Sequence, residues 1–117
     1  MNLLKVYYDY SCEILKEHLP CIPEMRYSTA KKYYGKISRR NNNKYIIYLS
    51  KFNHLYKNDW LFDKEEQEEI INTVCHELAH LIFWEHGKNH TKVTKLFSKI
   101  VNGNLRLMYL NSKEETN

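Results

Sequence analysis

Apolar residues recur at helical spacing in three stretches of the chain, and three shorter stretches between the first and second have strand character. From Leu3 to about Leu19, the residues Leu3, Leu4, Tyr7, Ile14, Leu15 and Leu19 punctuate a charged background. That pattern predicts an amphipathic helix, closed by Pro20. Pro20 to Pro23 reads as a turn. Glu24 to Ser28 and Tyr33 to Ser38 read as short strands on either side of Thr29-Ala30-Lys31-Lys32, and Gly35 marks a bulge or a close backbone approach. A polar turn, Arg39 to Asn43, leads into Tyr45-Ile46-Ile47-Tyr48-Leu49, the strongest strand pattern in the chain. A small, mostly antiparallel sheet of about three strands is expected.

Asp63 and Glu66 form a D-x-x-E capping box, and Trp60 and Phe62 just before it are expected to pack the helix entry. The helix should run through Ile70, Ile71, Val74, Leu78 and Ile82 to about Trp84. A last helix is expected over 88–101, with Val93, Leu96, Phe97 and Ile100 as its buried stripe and Lys88, Lys92, Lys95 and Lys99 opposite. The elements together predict an α+β fold: the sheet packed on the N-terminal helix, the long central helix and the C-terminal helix. One domain over 1–111 and a polar tail over 112–117 complete the expectation.

At 117 residues the chain is sized for one domain, and 43% hydrophobic with 14% aromatic residues marks it as globular. No run approaches the roughly 20 apolar residues of a membrane helix. Lys5, Asp9, Glu13, Lys16 and Glu17 interrupt the first nineteen residues, so no secretory leader is read and a cytoplasmic protein is expected. Cys12, Cys21 and Cys75 are odd in number and contain no C-x-x-C pair, which argues against both a zinc ribbon and a disulfide framework. A net charge of +4 permits contact with nucleic acid without demanding it. The four lysines of the last helix are the candidate for a weak DNA contact, a solvated face being the ordinary alternative.

The stretch Val74-Cys75-His76-Glu77-Leu78-Ala79-His80-Leu81-Ile82 changes the picture. It reads H-E-x-x-H within an apolar run. On a helix, residues four apart lie nearly above one another, so His76 and His80 can grip one Zn2+ ion. Glu77 is then placed to act on water at the metal rather than on the metal itself. Cys75 points away from that face and reads as a core residue. A catalytic zinc needs a third protein ligand. His86, His90 and Glu85 are the candidates, with His86 favoured if the helix ends and the backbone turns at Gly87. His90 would otherwise support the site from behind or face substrate. His18, at the end of the first helix, and His54, in a polar connection, read as structural or exposed.

These residues, with Leu19-Pro20, Tyr33-Tyr34-Gly35-Lys36-Ile37, Ile47-Tyr48-Leu49-Ser50 and the pair His86-Gly87, resemble the SprT-like family of zinc metalloproteases, which includes the Spartan-type proteases. The resemblance runs from about Leu3 to Val101. It implies a zincin-like fold, zinc held by His76, His80 and His86, Glu77 as general base, and proteins associated with DNA as a candidate substrate class. Two departures stand out. The family generally places an aromatic residue three beyond the Gly, where this chain has His90. Family members often carry a zinc ribbon or DNA-binding region, which the three cysteines here do not supply. The alternative is a non-catalytic module that keeps zinc for structure or holds nucleic acid through its basic last helix.

Overall fold

A computed structural model describes the chain over residues 3–41, 44–51 and 64–115, with side chains described at 4–41, 44–51 and 66–105. In order, the elements are α1 (Leu3–Leu15), a 3-10 turn (Lys16–His18), β1 (Glu24–Ser28), β2 (Gly35–Arg40), β3 (Lys44–Ser50), α2 (Lys64–Ala79) and α3 (Lys88–Glu115). The class is α+β, as the hydrophobic pattern predicts.

Helix α1 buries Leu4, Tyr8, Cys12 and Leu15, one stripe at helical spacing, while Lys5–Asp9 and Glu13–Lys16 ion pairs of 2.7 and 2.8 Å lie exposed on its surface. The helix tightens through the 3-10 turn and stops at Leu19, which is extended at φ −109°, ψ 137°. The following Pro20 disfavours helical backbone at that residue. The buried Tyr8 hydroxyl then donates to the Pro23 carbonyl, fastening the helix to the chain that enters β1.

The strands stand in the order β1-β3-β2. β2 and β3 pair antiparallel, with Ile37 opposite Ile47, and β1 and β3 pair parallel, with Met25 opposite Ile47. The sheet is therefore mixed, where mostly antiparallel pairing was expected. The reason is topological: β1 and β2 run in opposite directions but are not neighbours. β3 returns between them, antiparallel to one and so parallel to the other. The hydroxyl of Ser50 donates to the Ala30 carbonyl (2.6 Å) and its amide to the Tyr34 carbonyl (2.9 Å), which anchors the β1–β2 connection. Ile47 and Leu49 alternate onto the face covered by helices and are fully buried.

Against that face lies α2, whose Ile70, Ile71, Val74, Cys75, Leu78 and Ala79 are almost wholly buried, joined by Phe97 and Val101 of α3. Two helix ends differ from expectation. α2 stops at Ala79, not near Trp84. The amides of His80, Leu81 and Ile82 bond the carbonyls three residues back at 3.2, 3.0 and 3.0 Å, so the last turn is 3-10 in character. α3, by contrast, passes Asn102-Gly103-Asn104 and continues to Glu115, taking in part of the polar tail. Gly and Asn cost about 1 kcal/mol or less inside a helix, too little to end one already docked. Leu96, expected in the buried stripe, is 53% exposed, and the stripe runs instead through His90, Thr94, Phe97 and Val101.

No helix among the described residues is long and apolar enough to cross a membrane. Asp63, Trp60, Phe62 and His54 lie outside the described residues. His18 is exposed, its ring 6.4 Å from that of Phe97.

Candidate metal centre

His76 stands in the last turn of α2 and His80 one residue past its end. The tightened turn brings the chain round at once. Phe83 still donates to the Ala79 carbonyl (2.9 Å), and then the backbone leaves the helix. What holds the departing segment is Trp84. Its ring packs 6.0 Å from Tyr45 of β3 and carries the Arg39 guanidinium of β2 at 4.7 Å, a cation–π contact. Pinned there, the chain returns His86 over the helix end. Gly87 is not the cause of the turn. Its φ is outside the left-handed region and a Cβ there would meet no atom within 4 Å.

His76, His80 and His86 come together so that one nitrogen from each lies within 4.8 Å of the others. His76 Nε2 and His86 Nε2 are 3.2 Å apart. Two imidazole nitrogens on one tetrahedral zinc, each about 2.0–2.1 Å from it, stand roughly 3.3 Å apart, so the spacing fits such an ion. The tautomer of His80 fits as well. Its Nδ1–H donates to the Trp84 carbonyl at 2.6 Å, leaving Nε2 free as a donor to metal, the usual arrangement of a metal-binding histidine. Of the other two candidates, Glu85 lines the same cleft but is outside this group. His90 is buried behind the group, its Nε2–H donated to the His76 carbonyl at 2.9 Å.

The electrostatics favour the ligand form of the rings. Burial, followed by the neighbouring His90, His80 and His86, pushes His76 down to about 4. Burial and His90 likewise lower His80, against the opposing hydrogen bond to Trp84. Both rings are then neutral near pH 7, which metal coordination requires. Glu77 is 6% exposed, and burial alone pushes its carboxyl up to about 7. A carboxyl so placed can hold or release a proton near neutrality.

The room for Glu77 comes from Gly35. A Cβ at that position would stand 2.7 Å from Thr73 Cγ2, 3.3 Å from Glu77 Cγ and 3.4 Å from Glu77 Oε2. Of the two readings of Gly35 from the sequence, the close approach is the one found. β2 thus forms one wall of an open cleft of about 610 Å³, with Gly35, Lys36 and Ile37 on one side and His76, Glu77, His80, Trp84, Glu85 and His86 around the rest. None of the tyrosines is among these residues. Sequence reasoning did not single out Thr73 or the Arg39–Trp84–Tyr45 stack. An exposed-looking Trp at the end of an apolar run was the one available signal for the latter.

Cys75 is fully buried, as expected, and burial raises its thiol to about 12. Lys88, Lys92, Lys95 and Lys99 are all exposed along α3. A sequence model of the SprT-like family matches residues 5–113, nearly the whole chain. No curated protein and no solved structure shows significant similarity to it.

Proposed function

The chain belongs to the SprT-like family, and on that premise we propose that it is a zinc-dependent metallopeptidase. The observation that carries the proposal is the convergence of His76, His80 and His86 at a cleft that also holds the buried Glu77. Three neutral imidazoles leave a divalent ion its full charge, and zinc so held supplies Lewis acidity toward water and toward a carbonyl. The protein's own part is proton traffic. Glu77 takes a proton from the attacking water as its oxygen bonds the scissile carbon. It returns that proton to the amine as the carbon–nitrogen bond breaks. The cleft wall of β2 keeps Glu77 shielded, so its carboxyl titrates in the range where both transfers are feasible.

Elemental analysis tests the premise. Wild type offered zinc should retain about one ion per chain, and His86→Ala should lose it. Glu77→Gln should keep the ion while peptide hydrolysis falls at least 100-fold. A folded wild type that takes up no zinc would overturn the proposal.

The substrate class we favour is proteins associated with DNA, on the strength of the family resemblance. One observation supports a second reading, a nucleic-acid contact through α3: Lys88, Lys92, Lys95 and Lys99 are uniformly exposed. Such contact would weaken with salt by roughly 0.7–0.9 log units per log unit of salt for each phosphate neutralised. Changing Lys92, Lys95 and Lys99 together to Ala would remove most of that dependence, leaving at most the share of Lys88. Binding to DNA that is indifferent to those changes would remove α3 from consideration.

A further inference from the structure

His90 is 2% exposed, yet it stands in the first turn of α3 between exposed neighbours, Asn89 and Thr91. A buried imidazole needs a partner, and the partner here is the backbone of α2. A carbonyl can only accept, so the 2.9 Å contact is His90 Nε2–H donating to the His76 oxygen. That oxygen belongs to the last four carbonyls of α2, the ones a helix leaves without an intrahelical partner. His90 therefore caps the helix end from a neighbouring helix. The ring does more than cap. It stacks on His80, with centroids 4.1 Å apart and planes inclined by 27°. It meets His76 edge-on at 4.5 Å and His86 at 5.2 Å.

The tight ending of α2 explains why such a support is needed. A 3-10 turn advances each residue by about 120° instead of 100°. The His80 amide bonds the Glu77 carbonyl three residues back, so His80 stands where the α-helix gives way to the tighter turn. Its ring direction is not set by helix geometry alone. The Trp84 carbonyl fixes one edge of that ring and His90 fixes its face.

We infer that His90 is a positioning residue for the metal centre, holding the His76 backbone by its Nε2–H and the His80 ring by stacking. The inference rests on the metallopeptidase reading. A phenylalanine would fill the same volume and keep the stack but could not donate. That makes His90→Phe the informative change, with His90→Gln as the reverse case, a donor without a ring.

The experiment measures zinc affinity by competition with a chromophoric chelator, and the visible absorption of the cobalt-loaded protein. It compares wild type, His90→Phe, His90→Gln and Phe97→Leu. Phe97→Leu weakens the core of the same helix away from the metal, and metal-free melting of each variant calibrates lost stability. The expected result is a 10–100-fold weaker zinc affinity for His90→Phe, with an altered cobalt spectrum. His90→Gln should recover part of the affinity, and Phe97→Leu should match wild type. Wild-type affinity and spectrum in His90→Phe would overturn the inference and leave His90 as a packing residue. So would an equal loss in Phe97→Leu at comparable melting temperature. A wild type that binds neither metal would instead overturn the metallopeptidase reading itself.

Discussion

At the scale of single residues, the chemistry of Glu77 and the packing of Gly35 are one problem. Metal-free, Glu77 titrates near 7 in the folded protein against about 4.5 in an open chain. Between those values the unfolded chain has lost a proton the folded one keeps, so this residue's contribution to stability falls as pH rises through the window. His76 acts in the opposite sense. Its folded value near 4 lies below the ordinary 6.5, so its contribution is lost as pH falls from 6.5 toward 4. Glu77→Gln isolates the first effect. The stability of the variant relative to wild type should grow between pH 4.5 and 7, by up to about 3 kcal/mol, and level off above. Denaturant titrations of chelator-treated protein across pH would show this, and a gap that stays flat would mean that Glu77 is solvated.

Gly35→Ala should cost about 1–3 kcal/mol, because Thr73 Cγ2 would stand 2.7 Å from the new methyl and turning it away would break the 3.0 Å bond from the Thr73 hydroxyl to the Glu69 carbonyl. Gly87→Ala should leave stability within about 0.5 kcal/mol. The same denaturant titration decides both. The H-E-x-x-H spacing was legible in the sequence because a helix makes residues four apart neighbours by rule. The Gly35–Thr73 contact was legible only as half a contact, since no local rule names a partner on another element.

Among the elements, β1 and β3 were read closely, whereas β2, expected from Tyr33 to Ser38, runs from Gly35 to Arg40 and takes in two residues of the expected turn. β1 was expected and found at Glu24 to Ser28, and β3 extends the expected Tyr45–Leu49 by one residue at each end. Alternation and β-branching report on a single strand. Neighbour order depends on how the chain returns, which is why the parallel pairing was not foreseen. The end of α2 was overrun for a related reason. Leu81-Ile82-Phe83-Trp84 is as apolar as a buried helix turn, yet Ile82, Phe83 and Trp84 are each about 40% exposed, and Trp84 lines the cleft. Periodicity cannot separate an apolar run that is buried from one that lines a site. The same limit applies to α3, where Leu96 fits the stripe by spacing but faces solvent. Leu96→Ser should therefore change stability by less than about 0.5 kcal/mol, while Phe97→Ala should cost about 3–5 kcal/mol. Thermal or chemical unfolding of the two variants, one residue apart, measures which face of α3 is docked.

For the whole molecule, the three thiols give a direct reading of the core. Cys12 and Cys75 are buried, and burial raises them to about 11 and 12, whereas Cys21 is exposed. A thiol reagent at pH 8 should label one cysteine quickly in the native protein and all three in denaturant. Rapid labelling of a second thiol in the native state would place α1 or α2 outside the core. Zinc should act on the molecule as a ligand of the folded state, adding about 2.7 kcal/mol at a concentration 100 times its dissociation constant. A chelator should reverse the gain.

The fold joins two kinds of neighbourhood at the cleft. His76 and His86 are ten residues apart in the chain, so closing them around an ion is a short-loop event with a small entropic penalty. Glu77 owes its seclusion to Gly35, on the far side of the sheet connection, and that contact requires the long-range assembly of β2 against α2. Both halves of the site nevertheless lean on the sheet, the triad through Trp84 and the carboxyl through Gly35. A chain that has formed only its last two helices lacks the Arg39 and Tyr45 contacts that hold Trp84, and with them the return of His86, and it also lacks the wall that shields the carboxyl. Metal retention and hydrolysis therefore both report on the sheet closing against the helices.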